Sequence, residues 1–146
     1  MQYQIREFEI SDYMKIYELN REEMGYDYNP KLTQEKLRQL KESNTDQIFV
    51  AVVNGEVVGY VHANNYDLIY APAMKNIMGI AVAKKCSHHG IGRSLLEKVE
   101  EWARQTGAKG VRLVSGSTRT DAHVFYRSCG YSGDKMQLNL KKVIEK

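Results

Sequence analysis

A single α/β domain on a mixed sheet, with elements in the order β-α-α-β-β-β-α-β-α-β, is the fold class the sequence predicts. Three observations carry that expectation. Asn54-Gly55 stands between two β-rich runs, the strongest short hairpin signal. The stretch "NIMGIAVAKKCSHHGIGRSLLEKVEEWA" reads as strand, glycine loop and amphipathic helix. Finally, helical and strand periodicities alternate over all 146 residues, with no repeat, linker or low-complexity tract between them.

In order, "YQIREFEI" is the first strand, with Ile5 and Phe8 directed inward. Ser11 is the expected cap of the first helix, which buries Tyr13, Ile16, Tyr17 and Met24. "GYDYNPK" breaks it, and Thr33 is expected to cap a second helix, "TQEKLRQLKES", with Leu37 and Leu40 facing the core. The Asn54-Gly55 hairpin follows. The irregular "DLIYAPAMK" then leads into the strand "NIMGIAV". Beyond the glycine loop, Leu95, Leu96, Val99, Trp102 and Ala103 share one helix face, and Glu100 and Arg104 form an i,i+4 pair on the other. "TGAKG" ends that helix. "VRLVSG" reads as a buried strand, residues 120–129 as a short helix, and "KMQLNLKK" as a final strand.

Composition narrows the function classes. Apolar residues are 42% and charged residues 27%, the balance of an ordinary globular chain. A net charge of +3 is too small to drive binding to nucleic acid or to a membrane surface, so any electropositive site is local. No segment is apolar for long enough to cross a bilayer, and "MQYQIREFEISDY" carries charges where a signal peptide needs an apolar stretch. Cys86 and Cys129 form no metal-spaced pair, which predicts a cytoplasmic protein without a metal site.

The glycine loop is the first functional signal. A helix N-terminus exposes unpaired N–H groups and the positive end of the helix dipole. Glycines just before it let the backbone approach an anion. Gly90 and Gly92, with Lys84, Lys85, His88, His89 and Arg93 nearby, therefore read as a phosphate cradle. The dinucleotide pattern G-x-G-x-x-G fails at Leu95. The Walker pattern fails at Ser87 and Arg93. On the loop alone, a tight strand-to-helix turn explains the glycines equally well.

A second constellation, "SGSTRTDAHVFYRSCGY" from Ser115 to Tyr131, changes the balance. With "SHHGIG" at the loop and "AHVFYRSCGY" at Ala122, Phe125, Tyr126, Gly130 and Tyr131, the chain resembles the GNAT superfamily of acyl-CoA-dependent N-acetyltransferases. The resemblance extends over most of the chain, as one domain spanning 1–146. Its departures are Ser87 for the usual Arg or Gln, His88 for a frequent Gly, and Arg119 for a frequent Asn.

The resemblance implies acetyl-CoA as co-substrate and a primary amine, of a small molecule, as acceptor. It places the pantetheine arm beside Ile80, Ala81 and Val82, in the manner of an added strand. The pyrophosphate falls on His88, His89, Gly90, Ile91, Gly92, Arg93 and Ser94, with Arg119, Ala122 and Phe125 as further cofactor contacts. A backbone N–H near Ala81 or Val82 would polarise the thioester carbonyl. A homodimer is within the family's habits.

Tyr126 is the expected general acid. A thiol titrates near about 8.5 and a phenol near about 10, so a positioned tyrosine can protonate the departing sulfur. The proton acceptor for the amine is open among Glu22, Glu23, Asp67 and His62, because "AMKNIMGIAVAKK" holds no carboxylate. Two alternatives stand beside the enzyme: a non-catalytic acyl-CoA-binding sensor, and a nucleotide-phosphate-binding regulator.

Overall fold

The computed structural model describes residues 1–145. They form two compact units, Met1–Leu113 and residues 114–145.

In the first unit, strand β1 (Gln4–Glu7) leads into a 3-10 turn over Ile10–Asp12, helix α1 (Tyr13–Met24) and helix α2 (Pro30–Glu42). Strands β2 (Asp46–Val53), β3 (Glu56–Tyr66) and β4 (Met74–Val82) follow, then helix α3 (Ile91–Gln105) and strand β5 (Val111–Leu113). The five strands lie in sequence order. β1 to β4 are antiparallel, and β5 joins β4 in parallel. Asn54 (φ 50°) and Gly55 (φ 79°) make the β2–β3 turn in the left-handed conformation that the hairpin signal requires.

Alternation along β2 divides the core. Ile48 and Val50 face α1 and α2, with Phe8, Ile16, Leu19, Leu37, Val57, Tyr60 and Ala81. Phe49, Ala51, Val61 and Ala63 turn the other way, toward α3, whose Leu95, Leu96 and Val99 are fully buried. The helix face read from the sequence is the one α3 buries.

Several boundaries differ from expectation. Ser11 does not cap α1. Glu9 and Asp12 instead form a reciprocal capping box around the 3-10 turn, and α1 continues from Asp12. Thr33 does not cap α2 either. Asn29 does so, its side chain accepting from the backbone N–H of Lys31 and Leu32, with Pro30 in the first turn. Thr33 lies buried inside that turn, donating to the Asn29 carbonyl at 3.0 Å. β5 covers only three residues and is half-buried, because among the described residues β4 is the one strand paired with it.

The second unit contains helix α4 (Thr120–Ser128). No residue of α4 is buried; Phe125 is half-buried and packs on Tyr126 with ring centroids 5.3 Å apart. The expected final strand near residues 135–142 is not formed. Residues 131–145 carry no helix or strand, and Met136, Leu138 and Leu140 are exposed. A strand exists only through its ladder partner, and this segment has none. Among the described residues, no helix is long and apolar enough to cross a membrane.

Candidate functional site

The geometry of β4 sets the site. Facing β3, its register slips by one residue between His62 and Ala63, so that His62 pairs with Gly79 while Ala63 pairs with Ile77. Met78 is the extra residue, and a bulge of this kind bends and twists a strand. On its other side β4 pairs with β5 only from Lys75 to Ile77. From Met78 to Val82 that edge carries no neighbouring strand in this unit. The expected pantetheine contacts Ile80, Ala81 and Val82 all lie on this open edge.

The edge runs into the loop. Lys84–Cys86 make one 3-10 turn, whose Ser87 hydroxyl donates to the Lys84 carbonyl at 2.8 Å. Ser87 therefore closes a local turn, a task that needs no arginine or glutamine. Cys86 is buried beneath it. His88 and Gly90 both take left-handed φ angles, 64° and 84°. Gly90 sits at the N-cap of α3, and no side chain caps that helix. The first N–H groups of α3 are thus left for an anion, with His88, His89 and Arg93 exposed around them. Lys85 is paired with Glu56 at 3.3 Å.

One residue that sequence reasoning missed fastens this cradle. The Tyr3 hydroxyl donates to the Gly90 carbonyl at 3.3 Å and shares a 2.7 Å hydrogen bond with Ser94 Oγ. Nothing in the local sequence signals a contact across so long a separation. Ser94, expected to touch the cofactor, already spends one hydroxyl interaction on Tyr3.

The remaining expected contacts belong to the second unit. Arg119 is the N-cap of α4, with Ala122, Phe125 and Tyr126 along the helix. Burial pushes the Tyr126 phenol above its ordinary value; the charge of Arg119 opposes this, and Cys129 adds to it. A phenol raised in this way stays protonated at neutral pH. His123 bonds the Gly116 carbonyl at 2.9 Å, a local polar contact.

Of the candidate proton acceptors, Glu22 is paired with Arg21, and Glu23 accepts from the Lys84 backbone N–H. Asp67 borders a cavity of about 230 Å³ near the start of β4. His62 stands apart. Its Nε2 lies 2.7 Å from Asp46 Oδ2, and it lines a cavity of about 130 Å³ with Asn20, Tyr28 and Tyr60. Burial raises the Asp46 pKa, but hydrogen bonds from His62, Thr45 and Ser43 outweigh it and hold the carboxyl below its usual range. In the same cavity wall, the Tyr60 hydroxyl donates to Asn20 Oδ1, and burial pushes its pKa up to about 12. Among the described residues, no three His, Cys, Asp or Glu side chains gather as metal ligands.

Residues 13–131 match the model of the acetyltransferase (GNAT) family. An aminoalkylphosphonate N-acetyltransferase of Salmonella typhimurium is 37% identical over 83 residues, 56% of this chain and 54% of that protein. The aligned segment thus spans about half the length of that relative. An uncharacterized N-acetyltransferase of Archaeoglobus fulgidus is 28% identical over 124 residues, 82% of this chain and 84% of that protein. Among solved structures, the aminoglycoside acetyltransferase AAC(6')-Iy, in complex with a CoA-linked bisubstrate analogue, superposes with a TM-score of 0.86. At 14% identity, with 99% of this chain and 100% of that one covered, this likeness shows the fold.

Proposed function

This chain belongs to the acetyltransferase (GNAT) family, and we propose that it moves the acetyl group of acetyl-CoA to the primary amine of a small molecule. The observation that carries the reading is the open edge of β4, Met78–Val82, leading directly into the uncapped N-terminus of α3 at Gly90. That sequence of features offers backbone groups to an extended amide-bearing arm and then N–H groups to phosphates. The Salmonella relative, named for a small amine, supports the acceptor class. Because the family match runs across both compact units, we read residues 1–146 as one catalytic domain.

In this reading acetyl-CoA supplies an activated acyl group and leaves as a thiol. Ile80, Ala81 and Val82 bind its arm through their backbone, and Gly90 to Ser94, with His88 and His89, hold its phosphates. Arg119, Ala122 and Phe125 are further cofactor contacts in this reading. His62, oriented by Asp46, takes the proton that the acceptor ammonium must lose before its nitrogen can bond to the acyl carbon. As the carbon–sulfur bond breaks, Tyr126 donates the proton that the sulfur gains.

The test is amine-dependent release of CoA thiol by wild type and by Tyr126→Phe. Loss of a positioned acid lowers kcat by about 10²–10⁴-fold. Acetyl-CoA should still raise the thermal midpoint of both proteins. Turnover by Tyr126→Phe at the wild-type rate would remove the acid role. No thermal shift of wild type with acetyl-CoA would remove the transferase reading.

A further inference from the structure

We propose that the acceptor is a small amine bearing an anionic group, and that Arg112 binds that anion. The inference rests on the transferase reading and specifies its substrate.

It begins on the sheet face that α1 and α2 pack against. Tyr60, His62, Asn64 and Tyr66 alternate onto that face along β3. Asn76 pairs with Asn64 across β3–β4, and Arg112 pairs with Asn76 across β4–β5. At Tyr60 the face is buried under the core of α1 and α2. Toward Tyr66 it becomes a half-buried polar surface of Asn64, Tyr66, Asn76 and Arg112.

Arg112 is held there twice. Its Nη1 donates to Asn76 Oδ1 at 2.6 Å, and its guanidinium lies over the Tyr66 ring, 4.2 Å from the centroid. Neither partner carries a charge, and among the described residues no carboxylate forms an ion pair with it. A guanidinium presents five N–H donors, is always charged, and matches carboxylate and phosphate oxygens in a bidentate fork. Asn76 engages one nitrogen, so most of the fork remains open. A half-buried cation without a counter-charge carries a desolvation cost that an anionic ligand would offset.

Its position suits an acceptor. Arg112 stands on the last rungs before β4 and β5 part company. The partners of Ile80 and Asn76 on β3 are Val61 and Asn64, and three residues of strand span about 10 Å. An acyl group lying along the open edge near Ile80, and a guanidinium reaching from Arg112, therefore bracket a short molecule. Two or three carbons between amine and anion fit that interval. Phosphonate, phosphate monoester and carboxylate share the required chemistry.

The experiment measures CoA thiol release with 2-aminoethylphosphonate, O-phosphoethanolamine, β-alanine and neutral propylamine, for wild type, Arg112→Met and Arg112→Lys. Wild type should favour an anionic amine over propylamine by at least about tenfold in kcat/KM, and the preferred arm identifies the anion. Arg112→Met should collapse that ratio toward one, chiefly through KM, and Arg112→Lys should restore part of it. Equal use of charged and neutral amines by wild type would overturn the proposal. So would an anion preference that survives in Arg112→Met. An acetyl-CoA thermal shift shows that each variant is folded; if Arg112→Met is not, Arg112→Lys and Arg112→Gln carry the ratio. Absence of thiol release with every amine would instead sink the transferase reading. In that event, calorimetric titration of 2-aminoethylphosphonate into the CoA-saturated protein still tests the anion site. Binding that Arg112→Lys weakens would support it, and no binding would overturn it.

Discussion

Asp12→Ala should cost the fold about 2–3 kcal/mol, and the part of that cost that rests on the carboxylate charge should be lost in acid. Asp12 is 8% exposed and accepts hydrogen bonds from Arg6 Nη1 at 2.9 Å, Arg6 Nη2 at 3.0 Å and the Glu9 backbone N–H at 2.8 Å. It thereby ties β1 to the turn from which α1 starts. Stripping one partner from a buried ion pair costs about 3–5 kcal/mol. Arg6 keeps 31% of its side-chain exposure, so water resolvates it in the variant and reduces the loss. With a urea dependence of about 2 kcal/mol/M, the unfolding midpoint should fall by about 1–1.5 M. Asp12→Asn, which can still accept from Glu9, should lose less. For the pH dependence, burial raises the Asp12 pKa, but the bonds from Arg6 and Glu9 more than offset it and leave the carboxyl below its ordinary value. A carboxyl lowered by folding contributes its full stability above its unfolded pKa of about 4 and loses it as pH falls through the folded value. The gap between wild type and Asp12→Ala should accordingly be complete at neutral pH and narrow as pH falls below about 4. Equal urea midpoints at neutral pH, or a gap undiminished at about pH 2, would refute the reasoning.

Two glycines offer tests nearer the site. Gly90 holds φ 84°, a conformation that costs an alanine about 1–2 kcal/mol, so Gly90→Ala should lower the thermal midpoint by several degrees and weaken the shift produced by acetyl-CoA. An unchanged acetyl-CoA shift would separate the loop conformation from cofactor binding. At Gly59 an added Cβ would lie 3.1 Å from the Ala81 carbonyl oxygen and 3.5 Å from a Leu95 methyl. Gly59→Ala should therefore displace β4 at the proposed pantetheine edge, costing about 1–3 kcal/mol and reducing acetyl-CoA affinity together. Wild-type stability and affinity, read by calorimetry, would show that β3 and β4 accommodate the methyl without moving.

The elements that the sequence announced are those whose signal is local. Asn54-Gly55 specified its own turn, and the spacing of Leu95, Leu96 and Val99 specified the buried face of α3. Gly90 and Gly92 marked the mouth of that helix, where Gly90 takes a left-handed φ at the N-cap. Cap positions were harder, because Ser11 and Asp12, or Asn29 and Thr33, are all competent cap residues. The choice fell to Arg6, which charges the Asp12 turn, and to Pro30, which starts α2 one residue after Asn29.

The sequence by itself determined the family, the order of elements up to α4 and the glycine loop at the mouth of α3, since each is written in contiguous residues. Only the tertiary structure decided which distant side chains meet. Tyr3 fastens Gly90 and Ser94 from the other end of the chain. Asp46 holds His62 because β2 and β3 pair in one register, and a one-residue slip would have turned His62 to the other face. Arg112 reaches Asn76 and Tyr66 because three strands align there. The segment around Met136, Leu138 and Leu140 shows the converse. Its alternation reads as a strand, but alternation supplies only a face, and a strand also needs a neighbouring backbone to complete its hydrogen bonds.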